Sequence, residues 1–395
     1  MHAASAGEAY LAVEIVRHLC PDKQTRVLIT STTLQGMEIL QNNIIDGKKL
    51  VSPASAFTGI SAPNNIICEI TWFPFDMPEI MGRAISSIKP EIMVILETEI
   101  WPGLLLSLKR KNIKILMINA RLSDKSYKAY LKTSFMWKML SPDHILAITK
   151  NDEVRFRKIF PTSEIELMPN IKFDIVCHDI DSAVNQLPVS SSNYLSLLKY
   201  PMAIFVSVRR EEEEDIERII TELFHQFPDQ IVGLFPRHMH RIKHWKRRLT
   251  HLGIPWQLKS GLHGSLKNGR IILWDIFGEL KQVYPFALTA FIGGSLKPLG
   301  GQNFIESAIW GIPTVTGPFT DDFNWVGEDI FKTGLVKKAR NWKDVADFMV
   351  HNLKNPCNRN ELGKKVQVYI MNKRGGAGIA CRKIKEITTV QIAAK

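Results

Sequence analysis

The feature that most constrains this fold is a regular alternation of short apolar runs with helical stretches, which occurs twice along the chain. In the first half, apolar runs occupy residues 26–31, 92–96, 113–118 and 145–149. In the second half they occupy residues 203–207, 231–235, 271–273, 288–292 and 314–315. Such runs are typical of strands buried in a parallel sheet. Strands that alternate with helices indicate an α/β architecture.

The chain divides between these two halves. Residues 179–198 are mostly polar, which is typical of a linker. The total of 395 residues also exceeds what one hydrophobic core usually supports. We therefore predict Rossmann-like domains at residues 1–178 and 199–371, followed by a final segment at residues 372–395. Ligands of such folds bind at the carboxyl ends of the strands, so the site is expected in a cleft between the two sheets.

Composition limits the classes of partner and compartment. The net charge of +12 predicts an anionic partner, and the classes it allows are nucleic acids, anionic lipids and phosphorylated metabolites. Nucleic acid is disfavoured, because no basic run is interleaved with aromatic residues that would stack on bases. The five cysteines are scattered without a Cys-x-x-Cys pair, which predicts buried thiols and a reducing compartment.

Metal and membrane signals are weak in the sequence. His238, His240 and His244 lie close together, but no cysteine or positioned carboxylate accompanies them, so a metal site is disfavoured. No apolar run reaches the length of a membrane span, and the start of the chain lacks the regions of a signal peptide. Taken alone, the sequence predicts a cytosolic protein.

A glycine-rich stretch at residues 291–306 follows one of the apolar runs. Its two glycine pairs allow close approach of the backbone to a ligand. Asn303 and Glu306 have the spacing of a capping box at the start of a helix. Backbone N–H groups at a helix start favour a phosphate. A plain strand–turn–helix connection explains the same residues equally well.

Carboxylates follow two of the predicted strands. Glu8 lies at the first strand-to-helix turn, where it is either a partner of the helix dipole or a group that faces the ligand site. Glu97 and Glu99 come directly after the run at 92–96. Either can accept a proton if burial raises its pKa, and either can orient another group. The alternative is that both serve as N-terminal charges ahead of Pro102.

Cations occupy corresponding positions. Arg121 follows the run at 113–118, and Arg237 follows Pro236 at the end of the run at 231–235. An arginine there suits recognition of a phosphate or carboxylate. Lys172 closes the first half, where it either meets an anion or pairs with Asp174.

Together these segments resemble the Kdo transferases, which move 3-deoxy-D-manno-octulosonic acid (Kdo) from CMP-Kdo onto lipid A precursors. The matching motifs occur in order between residue 1 and about residue 385. They are Ser5-x-Gly7-Glu8, Glu97-Thr-Glu99-x-Trp101-Pro102, Asn119-Ala-Arg121-Leu-Ser123, Lys172-Phe-Asp174, Pro236-Arg237-His238, Gly278-Glu279-Leu280, Gly293-Gly294-Ser295 and Gly300-Gly301-x-Asn303-x-x-Glu306. Eight motifs in a fixed order are far more specific than any one alone.

The resemblance implies a fold, an activity and a set of site residues. The fold is the two-domain GT-B glycosyltransferase architecture, with a final helix that crosses back to the first domain. Glu8 is expected to be the base that deprotonates the acceptor hydroxyl, while Glu97 and Lys172 stabilise the transition state. The CMP pocket is expected to involve Pro236, Arg237, Phe277, Gly278, Glu279, Asn303, Phe304, Ile305 and Glu306. No metal and no cofactor are implied.

The resemblance also implies partners and a location. The donor is CMP-Kdo, the acceptor is a lipid A precursor, and the enzyme works at the anionic cytoplasmic face of an inner membrane. Family members normally begin with a membrane-anchoring segment, whereas here Met1 falls inside the first strand, so peripheral attachment is expected. On a helix over residues 128–140, Tyr130 and Trp137 would face acyl chains, while Lys128 and Lys132 meet head groups. An ordinary half-buried helix is the alternative.

Some positions depart from the family pattern. Ser207-Val-Arg-Arg replaces the usual Ser-Thr-His, Gln302 stands where His is frequent, and Pro169 stands where Gly is usual. The stretch from about 45 to 75 is longer than in the family. None of these departures touches Glu8, Asn303 or Glu306. The competing functions are another GT-B transferase or epimerase that uses a UDP-sugar, and an inactive remnant.

Overall fold

The computed structural model describes residues 1–45, 49–50, 65–185, 201–262 and 267–393. They form two units, Met1–His178 with Lys373–Lys395 and Asp179–Asn372. The predicted linker at 179–198 begins inside a helix that continues to Asn185, because Ile180 still adds a buried apolar residue to it. Residues 186–198, and most of the long stretch from 45 to 75, lie outside the described residues.

The first unit is built on parallel strands. Their bounds are β1 Thr25–Ser31, β2 Ile44–Ile45, β3 Lys49–Leu50, β4 Ile66–Trp72, β5 Ile92–Leu96, β6 Lys114–Ala120, β7 His144–Ala147 and β8 Glu164–Leu167. Strand β1 pairs with β4, and β5 to β8 pair in that order, all in parallel, whereas β2 and β3 form a short antiparallel pair. The predicted runs in this half fall on β1, β5, β6 and β7.

The first residues of the chain join the two groups of parallel strands. His2 forms parallel bridges to Thr30 of β1 and to Ile95 of β5. Its N–H group donates to the carbonyl of Val94 at 2.9 Å. The start of the chain therefore occupies the central position of the sheet, beside the carboxyl ends of β1 and β5.

Helices alternate with these strands. Their bounds are α1 Ala6–His18, α2 Leu34–Asn43, α3 Pro78–Ile88, α4 Pro102–Arg110, α5 Asp124–Lys132, α6 Ser134–Met139, α7 Lys150–Ile159 and α8 Lys172–Asn185. Ser5, Thr33, Ser123 and Thr149 accept a backbone hydrogen bond at the start of α1, α2, α5 and α7. Each side chain satisfies a donor that the helix leaves open.

The segment 128–140 differs from its prediction. It contains the end of α5 and the whole of α6, with Thr133 between them in a non-helical conformation. Trp137 is buried, and its ring packs edge-on against Tyr130 at 5.4 Å. The prediction that these two rings face acyl chains is therefore wrong. Because the helix is interrupted at Thr133, the side chains of α6 do not continue the faces of α5. Trp137 of α6 lies in the core, whereas Phe135 and Met139 are exposed.

The second unit contains a single parallel sheet of seven strands in the order β11-β12-β10-β9-β13-β14-β15. The strands are β9 Met202–Val208, β10 Ile231–Pro236, β11 Trp256–Leu258, β12 Arg270–Leu273, β13 Ala287–Ile292, β14 Thr314–Thr316 and β15 Lys337–Lys338. All five predicted runs of this half fall on strands. The central strands β9, β10 and β13 are buried on both faces, which explains their continuous apolar sequences.

Helices cover the second sheet. They are α9 Glu213–Gln226, α10 Ile242–His251, α11 Leu280–Val283, α12 Ile305–Ile309, α13 Asp329–Lys332, α14 Trp342–Lys354 and α15 Arg359–Met371. Helices α9 and α14 contribute Ile216, Ile220, Val345 and Met349 to a core that also includes Phe205 and Phe291 of the sheet.

The last helix, α16 Gly376–Ala393, belongs to the first unit. Ala380 and Ile384 lie in the same hydrophobic core as Leu11 and Ile15 of α1. Buried Cys381 agrees with the prediction for the cysteines, but Cys20 and Cys357 are exposed, and for these two the prediction was wrong. Scattered spacing indicates that thiols are not paired with one another, but it does not report their burial.

Candidate active site

Glu8 lies in the first turn of α1, after the chain leaves the centre of the first sheet. Its carboxylate accepts a hydrogen bond from the Ala4 N–H at 2.6 Å and one from the Ser5 hydroxyl at 2.9 Å. Burial, and then the nearby negative charge of Glu99, together raise the pKa of Glu8 to about 7. A carboxyl group that titrates near neutral pH is well suited to accept a proton. Glu8 also lies in the first turn of α1, where its charge favours the helix dipole, while its place at a ligand site stays a prediction.

Glu97 follows β5 and is paired with two cations. Its carboxylate lies 3.0 Å from the Lys172 ammonium group and 2.9 Å from the Arg121 guanidinium group. All three side chains come from the carboxyl-end edge of the sheet, at the ends of β5 and β6 and at the start of α8. The structure therefore pairs Lys172 with Glu97, whereas Asp174, the alternative partner, binds backbone groups elsewhere. The Glu97 carboxylate therefore has a cation from each of two elements as its partners.

Two strand ends adopt a left-handed backbone conformation that non-glycine residues rarely take. Glu97 has φ of 53° and Asn119, at the end of β6, has φ of 58°. Asn119 is fully buried, and its Oδ1 accepts a hydrogen bond from the Ile171 N–H at 3.0 Å. Within the described residues, the side-chain amide nitrogen Nδ2 of Asn119 has no hydrogen-bond partner. Strain and unpaired donors of this kind concentrate at functional sites.

Glu99 is half-buried near this group. Its carboxylate accepts a hydrogen bond from the Trp101 indole N–H at 3.1 Å. Burial raises its pKa, and the negative charge of Glu97 acts in the same direction. The Glu99 charge is also one reason why the pKa of Glu8 is high. The carboxylates of the first unit therefore influence one another electrostatically, which spacing alone did not reveal.

Asp76 caps α4, a contact that the sequence did not indicate. Its two carboxylate oxygens accept hydrogen bonds from the N–H groups of Gly103 at 2.9 Å and Leu104 at 2.7 Å. It thus caps α4 from a loop that lies 27 residues earlier. A Cβ atom at Gly103 would lie 2.8 Å from the Asp76 carbonyl oxygen, so the close approach requires glycine. The cap fixes the loop beside Trp101, but no spacing rule predicts so distant a partner.

In the second unit, the first glycine pair binds a carboxylate of the chain itself. Glu212 is fully buried and accepts hydrogen bonds from the N–H groups of Gly294, Ser295 and Leu296 at 2.6, 3.3 and 3.3 Å. It also accepts one from Arg209 at 2.9 Å. Burial raises the pKa of Glu212, and these four donors oppose that rise. The concave backbone at this glycine pair therefore binds anions, but its occupant is internal.

The second glycine pair leads to Asn303 and Glu306. Helix α12 begins at Ile305 with Phe304 as its N-cap, so the predicted capping box at Asn303 is wrong in its register. The Asn303 amide instead donates to the Glu306 carboxylate at 2.8 Å and accepts from the Ile305 N–H at 3.2 Å. Burial raises the pKa of Glu306, and the charge of Asp179 raises it further.

The remaining residues expected at the CMP pocket differ in exposure. Pro236 ends β10 and is buried, as are the side chains of Phe304 and Ile305, so these three can offer a ligand only their backbone. Arg237 is exposed, and its N–H donates to the Val208 carbonyl at 2.8 Å. Partial burial and then the charge of Arg209 lower the pKa of the adjacent His238, with smaller effects from His240 and Arg237.

The turn at Phe277–Glu279 has a defined shape. Glu279 accepts a hydrogen bond from the buried Trp274 indole at 3.0 Å and lies 3.8 Å from the Lys259 ammonium group. Gly278 has φ of 84°, which glycine adopts without strain. Phe277 is 69% exposed, so its ring is free to stack on a planar ligand. The turn is therefore a rigid support for an exposed aromatic side chain.

Two further observations concern metals and membranes. Among the described residues, His, Cys, Asp and Glu side chains form no group of three or more that would hold a metal ion. Over the same part of the chain, no helix has both the length and the apolar character that crossing a bilayer requires.

The fold resembles that of nucleotide-sugar enzymes. A crystal structure of a UDP-GlcNAc 2-epimerase from Neisseria meningitidis bound to UDP-GlcNAc superposes with a TM-score of 0.58, over 99% of this chain and 97% of that one, at 12% identity. Together with the two parallel α/β units, this similarity confirms the predicted fold class. The chain has the GT-B fold.

Sequence comparison identifies similar proteins. Residues 1–175 match the profile of the 3-deoxy-D-manno-octulosonic-acid transferase (kdotransferase) family. The chain is 27% identical to the 3-deoxy-D-manno-octulosonic acid transferase of Haemophilus influenzae, over 95% of this chain and 83% of that protein. It is 24% identical to a bifunctional glycosyltransferase/methyltransferase of Fusobacterium nucleatum, over 91% of this chain but only 53% of that protein. The chain is thus similar to the Kdo transferases along most of its length, and it is a glycosyltransferase.

Proposed function

We propose that this protein transfers Kdo from CMP-Kdo to a hydroxyl group of a lipid A precursor. The observation that carries the proposal is the Glu8 carboxylate, which has a pKa of about 7. It is close enough to Glu97 to be affected by its charge, and Glu97 forms ion pairs with Arg121 and Lys172. A base that titrates near neutral pH, and cationic side chains such as those of Arg121 and Lys172, suit the transfer of a sugar from an anionic leaving group.

The reaction is a single displacement. Glu8 accepts the proton of the acceptor hydroxyl, the hydroxyl oxygen forms a bond to the anomeric carbon of Kdo, and the bond between that carbon and the CMP phosphate breaks. The electron pair of the broken bond leaves with CMP. One attack from the face opposite the leaving group inverts the anomeric configuration. Lys172 and Arg237 supply positive charge for anionic groups of the donor, so we propose a metal-independent mechanism.

Residues of the second unit are proposed to hold CMP. Arg237 is exposed at the end of β10 and suits the phosphate, while the Asn303–Glu306 pair offers a carboxylate that accepts hydrogen bonds from ribose hydroxyls. Phe277 is proposed to stack on the cytosine ring. Gly278 and Glu279 shape that turn, and Pro236, Phe304 and Ile305 contribute backbone groups.

Arg237→Ala and Glu306→Ala are each expected to weaken CMP binding by about tenfold or more. A hydrogen bond to a charged group is typically worth about 1.5–3 kcal/mol, and each substitution removes one. Isothermal titration calorimetry with CMP measures the change. Arg247→Ala, which removes an exposed arginine from α10, is the matched control and should bind CMP like the wild type. Wild-type affinity in both test variants would place the pocket elsewhere.

The acceptor and the membrane are proposed to meet the first unit. Helices α5 and α6 expose Leu131, Phe135 and Met139 next to the exposed Lys128 and Lys132. Apolar side chains beside cations suit an anionic membrane surface, and this arrangement supports peripheral attachment at the cytoplasmic face of an inner membrane.

Lys128→Glu/Lys132→Glu is expected to reduce co-sedimentation with anionic vesicles by about tenfold or more, because each lysine near an anionic surface contributes about 1 kcal/mol. Added salt should weaken wild-type binding by screening. Lys364→Glu/Lys365→Glu makes the same charge change on the exposed face of α15 and serves as the control. Equal binding to neutral and anionic vesicles would contradict the proposal, and so would salt-sensitive binding to DNA that exceeds binding to the vesicles.

The direct test of function is incubation with CMP-Kdo and a tetra-acylated lipid A precursor, followed by mass spectrometry of the lipid. We expect a mass increase of one or more Kdo residues. Thermal shifts with CMP and UDP separate this function from that of a UDP-sugar enzyme, since only CMP should stabilise the protein. Stabilisation by UDP alone, with no Kdo transfer, would overturn the proposal.

A further inference from the structure

The turn that precedes α8 sets the backbone position of Lys172. Asn119 Oδ1 accepts a hydrogen bond from the Ile171 N–H at 3.0 Å, and Asn170 Oδ1 accepts one from the Lys172 N–H at 2.9 Å. Asn119 and Ile171 are fully buried and Asn170 nearly so. Two asparagine side chains therefore hold the turn, and the Lys172 ammonium group extends from it to Glu97 at 3.0 Å.

Asp174 connects the same turn of helix to the C-terminal segment. Its carboxylate is nearly buried and accepts hydrogen bonds from the N–H groups of Gly375 at 2.8 Å and Ala377 at 3.3 Å. These donors lie at the start of α16, about 200 residues away in the sequence. Asp174 thus caps a distant helix while it lies two residues after Lys172.

The C-terminal segment also contacts the turn directly. A Cβ atom at Gly376 would lie 2.3 Å from the Pro169 carbonyl oxygen and 3.0 Å from the Ile171 backbone nitrogen. Only glycine permits this approach, since real Cβ atoms do not come so close. Gly375 has φ of 107°, which also requires glycine. The two glycines let the chain pass against the back of the turn that carries Lys172.

Helix α16 has anchors besides these contacts. Ala380, Ile384 and Ile387 bury the helix in the core of the first unit, and Lys383 forms ion pairs with Glu164 and Glu166. The bonds to Asp174 and the contact at Gly376 therefore connect residues 169–174 to a segment that is held independently by its core.

We propose that Asp174 and the Gly375–Ala377 segment are positioning elements for the Lys172 ammonium group, so that the C-terminal end of the chain sets the geometry of the active site. The inference rests on the proposed role of Lys172 in Kdo transfer. A catalytic group that moves by about 1 Å can lose on the order of 10²-fold in rate, which makes a tightly held turn valuable.

Asp174→Asn and Gly376→Ala are expected to lower kcat by about tenfold or more and to leave KM near the wild-type value, because the lost positioning acts in the transition state. Glu166→Gln, which removes an ion pair of α16 away from the turn, is the matched control and should leave kcat and KM unchanged. Thermal unfolding of each full-length variant shows whether the fold is retained, and Asp174→Asn tests the proposal even if Gly376→Ala does not fold.

A double-mutant cycle shows whether Asp174 acts through Lys172. If it does, Asp174→Asn lowers kcat in the wild-type background but not further in Lys172→Ala. Additive losses would overturn the proposal, because a merely structural effect of Asp174 does not depend on Lys172.

A measurement that does not depend on catalysis can test the positioning of Lys172 separately from the proposed function. Amine acylation of the full chain, followed by peptide mass spectrometry, should show faster labelling of Lys172 in Asp174→Asn than in the wild type, relative to exposed Lys364. Unchanged labelling together with unchanged kcat would overturn the inference. Wild-type kcat in Lys172→Ala would instead overturn the catalytic role of Lys172, while the labelling result would still decide whether Asp174 positions it.

Discussion

Glu8→Gln is expected to lower kcat by about 10²–10⁴-fold, the usual contribution of a general base. Glutamine has nearly the same shape and can still accept one of the two hydrogen bonds from Ala4 and Ser5, but it cannot accept a proton. CMP affinity should remain at the wild-type level, since CMP is proposed to bind the second unit. Steady-state kinetics with CMP-Kdo and the lipid acceptor measure the loss.

The pH dependence of the wild type gives an independent check. Because the base must be unprotonated, kcat/KM should rise as the pH increases through about 7, the pKa that burial and the Glu99 charge give to Glu8. This rise of kcat/KM with pH should be absent from the residual activity of Glu8→Gln. Glu38→Gln, which changes an exposed carboxylate on α2, should retain both the rate and the pH profile. Wild-type turnover in Glu8→Gln would remove Glu8 from the mechanism.

Loss of activity in Glu8→Gln should not reflect unfolding. The pKa of Glu8 is raised to about 7 in the folded protein from an ordinary 4.5, so the folded state binds a proton more tightly than the unfolded chain. The free energy of unfolding therefore falls as pH rises from about 4.5 through about 7. Glutamine does not ionise, so the Glu8→Gln variant does not lose this part of the free energy of unfolding. We expect Glu8→Gln to be at least as stable as the wild type at pH 8, as measured by chemical denaturation.

Glu212→Ala is expected to be the most destabilising substitution in the second unit. It leaves four backbone N–H groups, from Arg209, Gly294, Ser295 and Leu296, without the carboxylate that they share. A buried donor left unsatisfied costs about 1–3 kcal/mol. Allowing for relaxation, we expect a loss of about 3–5 kcal/mol in the free energy of unfolding, the usual result of removing one partner from a buried charged group.

Urea denaturation of the full chain measures this loss, with CMP binding as a probe of the second unit. Glu211→Ala, a change in the neighbouring and exposed carboxylate, should alter the unfolding free energy by less than about 0.5 kcal/mol. If Glu212→Ala were as stable as Glu211→Ala, the glycine-rich turn would not depend on this carboxylate.

The glycine-rich turn also shows what local sequence rules miss. The two glycine pairs predicted a backbone that approaches a ligand phosphate closely, but at the first pair the bound group is the Glu212 carboxylate, which lies 82 residues away from Gly294. Similarly, Asn303 and Glu306 do pair, but through their side chains, while Phe304 is the N-cap of the helix. Spacing predicts that residues lie near each other. It does not predict which hydrogen bonds they form when several donors and acceptors compete.

The sequence by itself determined the strand–helix alternation and the two parallel α/β units, because buried strands must be apolar along their whole length and helices must separate parallel strands. Eight ordered motifs carried the resemblance to the Kdo transferases, and that resemblance implied the GT-B fold. Only the tertiary structure showed that Lys172 pairs with Glu97 rather than Asp174, that Trp137 belongs to the core, and that Asp174 binds the start of α16. These outcomes depend on contacts between residues far apart in the chain. They also depend on burial, which raises the pKa of Glu8 and cannot be deduced from residue type and spacing.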